Sequence, residues 1–155
     1  MPHGGLVSVA SHYSASETME RLLAALKKRD LAVFARVDHA AGAAAVGMPL
    51  RPTEVVLFGN PKGGTALMQD QQVAGIDLPL RALVWQDNAG NVQASYTDPV
   101  FLAERFALPE ELRANIAVQQ NAIEKCSHAL PKWVVMFILH PVRRQPFPAL
   151  AGGCG

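Results

Sequence analysis

The stretch LFGNPKGGTALMQ, residues 57–69, joins two kinds of structure. An apolar run that begins at Val55 breaks at Gly59-Asn60-Pro61-Lys62-Gly63-Gly64 and resumes as Thr65-Ala66-Leu67-Met68. Thr53 to Phe58 reads as a strand, and its continuous apolar half predicts burial on both faces. Thr65 to about Gln72 reads as a short helix. A strand that yields to a helix across a tight polar turn sets the class: helices laid on a sheet, an α+β chain.

The turn itself has two readings. Asn60 and the glycines tolerate backbone angles forbidden to bulkier residues, so they can simply make the bend. Alternatively, free N–H groups at a helix start, with Lys62 and Thr65 beside them, suit a phosphate or carboxylate. A nucleotide-hydrolase loop is excluded. That loop needs glycine, four residues, glycine, lysine and then serine or threonine; here Gly59 and Gly64 have the spacing, but Thr65 follows directly and the lysine sits at 62.

The remaining segments obey the same logic. Leu6 to Ala10 reads as a first strand. Ser14 and Glu17 stand three apart, as in a capping box, ahead of a helix that runs to about Lys28 with an apolar stripe of Met19, Leu22, Leu23 and Leu26. Lys27-Lys28-Arg29 complements the dipole at that helix's end. Leu31 to Asp38 is a second strand, followed by an alanine-rich short helix from Ala40 to Val46 that stops at Gly47. Arg81–Gln86 and Val92–Tyr96 flank Asp87-Asn88-Ala89-Gly90-Asn91, the composition of a hairpin turn. Trp85 and Tyr96 on these strands are expected to pack across the sheet. Asp98-Pro99 supplies an N-cap and first-turn proline for a helix with Phe101, Leu102 and Phe106. Pro109 starts a last helix, from Glu110 to about Glu124.

The 155 residues suit a single domain, here 5–125, with 126–155 as a C-terminal extension: an apolar arm, Trp133 to Leu139, and a loose proline- and glycine-rich end. Half the residues are hydrophobic and 17% charged, the balance of a folded protein that buries further surface in an oligomer. Fourteen Lys plus Arg against thirteen Asp plus Glu leave a net charge of +1, which offers no field for nucleic acid. No apolar run approaches the ~20 residues of a membrane helix and no signal peptide is evident, so no membrane partner is expected. Two cysteines without a Cys-x-x-Cys pair fit a reduced, cytoplasmic setting.

Phe58-Gly59-Asn60-Pro61-Lys62, Gly64-Thr65-x-Leu67-Met68, Leu78 to Trp85 and Ser95-Tyr96-Thr97-Asp98-Pro99, in that order, resemble domain-of-unknown-function family 302 over roughly residues 6–125. The resemblance implies a two-layer α+β fold, with a helix packed across a mainly antiparallel sheet, and a homodimer. Against the family pattern, Gly63 stands where alanine is common and Ala66 where proline is common. The loss of that proline leaves the helix start less rigid.

Candidate chemistry is sparse. Asp38-His39 at a strand end could work as an acid–base pair with Lys62 on a small polar substrate, although neighbours on a strand point to opposite faces and a capping role is simpler. Cys126, His128, His140 and Cys154 offer zinc-type donors without close pairs at both ends, so neither a metal nor a cofactor is expected. The leading expectation is a non-catalytic, homodimeric binding or interaction module with a small anionic or polar ligand held by Asn60, Lys62, Gly64 and Thr65, joined by His39 and Arg81.

Overall fold

The computed structural model describes residues 4–127. Five strands form one antiparallel sheet in the order β1-β5-β4-β3-β2, where β1 is Leu6–Ser11, β2 Ala32–Asp38, β3 Thr53–Gly59, β4 Leu80–Gln86 and β5 Val92–Thr97. Helices α1 (Ala15–Lys27) and α5 (Glu110–Ser127) pack on one face, with α2 (His39–Ala45), α3 (Pro61–Asp70) and α4 (Pro99–Arg105) at the connections. The chain is a single α+β domain, as its sequence predicts. The apolar arm and the His128, His140 and Cys154 donors lie outside the described residues.

Strand alternation decides which face the helices cover. Val56 and Phe58, Ala82 and Val84, and Ala94 and Tyr96 are buried against Met19, Leu22 and Leu26 of α1 and Ile116 and Ile123 of α5. Burial pushes the Tyr96 hydroxyl up from its usual pKa, with the charges of Glu124 and Asp98 adding to it. Residues of the other parity, Val55, Leu57, Leu83 and Trp85, are only half-buried. Continuous apolar character in β3 therefore does not mean equal burial on both sides. Trp85 and Tyr96 also part company: the Trp85 indole lies on the open face and donates to Ser95 Oγ at 2.8 Å, and Ser95 Oγ lies 2.7 Å from Ser8 Oγ.

Local chemistry accounts for the junctions. Ser14 Oγ accepts from Glu17 N at 3.2 Å and starts α1. At its other end Arg29 donates to the Ala25 carbonyl at 2.8 Å, consistent with a cation at a helix C-terminus. In the β4–β5 turn, Asp87 Oδ1 accepts from Ala89 N and Asn91 N, and Gly90 takes φ +87. Asp98 caps α4 by accepting from Val100 N at 2.8 Å, with Pro99 in the first turn.

The stretch after β3 departs from expectation. α3 begins at Pro61, not Thr65, and the presumed turn is its first turn. The Asn60 side chain accepts from Lys62 N at 2.9 Å and Gly63 N at 3.4 Å, and Pro61 supplies a helical φ at no cost in donors. The glycines therefore do not make the bend. Positive φ occurs at Gly5, Gly47 and Gly90, not at Gly59, Gly63 or Gly64. Beyond α3, Gln72–Asp77 forms a 3-10 turn, and α5 continues past Glu124 to Ser127.

Candidate functional site

β3 ends at Gly59, Asn60 caps α3, and α3 turns back against the segment that enters β4. Between them lies a cavity of about 270 Å3, walled by Phe34, Met68, Leu78, Pro79 and Leu80 and bordered by Asn60, Thr65 and Asn115. Small residues keep it open. A methyl group built on Gly59 would stand 3.7 Å from the Phe34 ring, and one on Gly64 would stand 4.0 Å from Leu78 Cδ1, so larger side chains at either position would enter the space. The result is an apolar hollow with three short polar side chains at its margin. Its size falls just under the ~300–1,000 Å3 of ordinary small-molecule sites.

Of the sequence candidates, Asn60, Gly64 and Thr65 meet at this cavity. Lys62 does not line it; it lies on an adjoining cleft that shares Asn60 and Asn115. Arg81 is held by Asp77 at 3.2 Å, and Asp77 also meets Arg105 at 3.3 Å. His39 is at the other end of the sheet. Asp38 pairs with Glu54 and Ala32 with Gly59, so the length of β3, at ~3.4 Å per residue, sets His39 about 20 Å from Lys62 within one chain. Asp38 itself caps α2, accepting from Ala41 N at 2.9 Å.

The start of α3 is no vacant anion cradle either. Pro61 has no N–H, Asn60 Oδ1 takes those of Lys62 and Gly63, and the Asn60 carbonyl takes that of Gly64 at 2.9 Å. The carboxamide stands where an anion would. At the opposite end, a wider hollow of about 620 Å3 runs between the start of α1 and the end of β2. Its Arg36 is already gripped by Glu54 and by Glu20 at 3.0 Å, contacts that hold the guanidinium more firmly protonated than usual. That charge is satisfied internally.

Among the described residues, no group of three His, Cys, Asp or Glu side chains could hold a metal ion. Cys126 is buried, with its Sγ 3.0 Å from the Ile123 carbonyl.

The sequence model of the family described as "Domain of unknown function DUF302" matches residues 7–132. The chain belongs to the DUF302 family. The crystal structure of an uncharacterized conserved DUF302 protein from Bacillus stearothermophilus has the same fold, with a TM-score of 0.70 at 21% identity, covering 79% of this chain and 98% of that one. Curated relatives are longer. A fluoride-specific ion channel, FluC 1 of Brucella suis biovar 1 (strain 1330), is 48% identical over 115 residues, which is 74% of this chain and 44% of that protein. FluC 1 of Brucella abortus biovar 1 (strain 9-941) matches at the same identity over 42% of its length. The DUF302 chain thus spans less than half of the curated relatives it matches. Among its described residues, no helix is long and apolar enough to cross a membrane.

Sequence reasoning missed Phe34, Leu78, Pro79 and Asn115 as site residues of this DUF302 domain. Phe34, Leu78 and Pro79 give no residue-level sign of a pocket, although Leu78 and Pro79 open one of the segments that carry the family resemblance. Asn115 comes from α5, far along the chain, and only packing brings it beside Gly63, where a methyl would stand 3.5 Å from Asn115 Cγ.

Proposed function

We propose that this DUF302 chain is a non-catalytic, cytoplasmic binding module that works as a homodimer and holds a small ligand beside the start of α3. The cavity between Phe34, Met68, Leu78 and Pro79 carries the reading, because an apolar hollow with a few convergent polar groups is the usual form of a small-molecule site. The occupant it suits is an apolar body with one polar end facing Asn60, Thr65 or Asn115. An enzyme that uses Asp38, His39 and Lys62 gains no support, since no contact draws these residues together in one chain.

The test is to fill the hollow. Gly64→Val puts two methyl groups toward Leu78 and should abolish the thermal stabilisation that short-chain alcohols such as hexanol and octanol confer on the wild-type chain. An unchanged stabilisation in the variant would end the claim.

Dimerisation is read from where apolar surface is left uncovered. Of the ten large exposed apolar residues among those described, six (Val33, Phe34, Val37, Val46, Met48 and Leu50) come from β2 and the segment after it, and α2 has no buried side chain. β2 is also a sheet edge, with one row of backbone groups free to pair. A second copy across this edge would cover both. Phe34→Lys with Val37→Lys should halve the mass measured by light scattering; a wild-type chain that runs as a monomer would refute the dimer. Channel activity is not proposed, because the chain covers only 42–44% of the Brucella proteins that bear that name.

A further inference from the structure

A second hollow, of about 370 Å3, opens on the other side of Asn60, between the end of α1, the start of α3 and α5. Asn60 and Asn115 line both hollows. The two differ in charge. The second carries Arg29 and Lys62, and among the described residues no aspartate or glutamate lines it.

Among the described residues, both cations lack an ionised partner. Arg21, Arg36, Arg81, Arg105 and Arg113 each meet a carboxylate. Arg29 instead donates to the carbonyls of Ala25 at 2.8 Å and Asn121 at 3.2 Å, and Lys62 is in no ion pair among the described residues. Two cationic side chains that line one cleft, with no carboxylate among the described residues there, favour an anion, and an arginine anchored through neutral acceptors keeps its full charge for it. The backbone N–H groups of α3 play no part, since Asn60 occupies them.

We infer that the two hollows form one site for a free amphipathic anion: a short alkyl or acyl chain in the apolar cavity, and its carboxylate or phosphate head beside Lys62 and Arg29. The inference rests on the reading of the apolar cavity as a ligand site and adds the head group. Asn60 and Asn115 border both hollows and set the order of parts, since a ligand that reached past this pair would go from apolar walls to cations. The apolar hollow, at about 270 Å3, has room for a short chain. A bare inorganic anion would satisfy the cations and leave that hollow unfilled.

Calorimetric titration of the full chain with octanoate, octyl phosphate, octanol and inorganic phosphate tests this. Octanoate and octyl phosphate should bind about tenfold or more tightly than octanol, the gain of one or two charge-assisted hydrogen bonds. Lys62→Met, at an exposed position, should bring octanoate and octyl phosphate down to the affinity of octanol, and Gly64→Val should weaken all three chains. Equal affinity for octanol and octanoate in the wild-type chain would overturn the head-group assignment while leaving the cavity reading intact. Failure of every chain-bearing probe would overturn both. Inorganic phosphate binding as tightly as octyl phosphate would separate the two hollows and defeat the inference, as would Lys62-dependent sedimentation with phosphatidylglycerol vesicles in the absence of octanoate binding.

Discussion

Asn60 and Asp38 perform the same act at opposite ends of the sheet, yet the helices they start meet different fates. Each residue stands where a strand gives way to a helix and caps that helix through its side chain, Asn60 with 2.9 and 3.4 Å contacts to Lys62 N and Gly63 N, Asp38 with a 2.9 Å contact to Ala41 N. α3 then buries Leu67 and packs on α5, and the space left over is the candidate site. α2 buries nothing. Similar local chemistry thus yields a helix anchored in the core at one pole and a helix with no buried side chain at the other. A cap can start a helix, but only packing decides whether that helix is anchored.

The contrast breaks most readily at the anchoring side chain. Leu67, 2% exposed, should cost about 2–5 kcal/mol of stability in urea denaturation when replaced by alanine. Val46→Ala, beside α2 and 72% exposed in one chain, should stay within about 0.5 kcal/mol at concentrations where the chain is monomeric. Comparable losses would mean that the two poles are equally built into the fold.

The caps give a smaller and sharper comparison. Asn60→Ala should lower global stability by about 1 kcal/mol, because α3 is part of the cooperative core. Asp38→Ala removes a similar bond from a helix with no buried residue, so its loss should appear as faster amide exchange in α2 with little change in global unfolding. A concentration-dependent loss of stability in Asp38→Ala would instead tie α2 to the dimer contact.

The smallest effect concerns glycines inside the two helices. A methyl on Gly63 would meet Asn115 at an ordinary 3.5 Å, and one on Gly42 would meet nothing within 4 Å. Alanine at 63 should therefore stabilise the chain by about 0.4–1 kcal/mol, as the freedom of the unfolded backbone is reduced. Alanine at 42 should leave global unfolding unmoved and slow exchange in α2 alone.

Much of the architecture was legible in local chemistry. Ser14, Asp98-Pro99 and the Asp87–Asn91 turn act within a few residues of themselves, so their caps and turn bonds follow from spacing alone. The stretch after β3 misled because glycine and N-cap signals competed there. Gly63 and Gly64 argue for a loop, while Asn60-Pro61 argues for a helix already begun, and two capping bonds with a proline-set φ outweighed the glycine penalty. The candidate site was legible only in part, through Asn60, Gly64 and Thr65.

By itself the amino-acid order determined the α+β class, the strand and helix periods, the near-neutral charge and the family, since each depends on neighbours in the chain. Tertiary structure alone decided the rest. It put Asn115 and Phe34 at one cavity, set Arg29 and Lys62 on one cleft, tied Arg81 to Asp77 and set His39 at the far end of β3. The reason is physical: caps and turns are bonds between residues a few positions apart, whereas a cavity is the space left when α3, α5 and the edge strand meet, and no short stretch of sequence encodes that meeting.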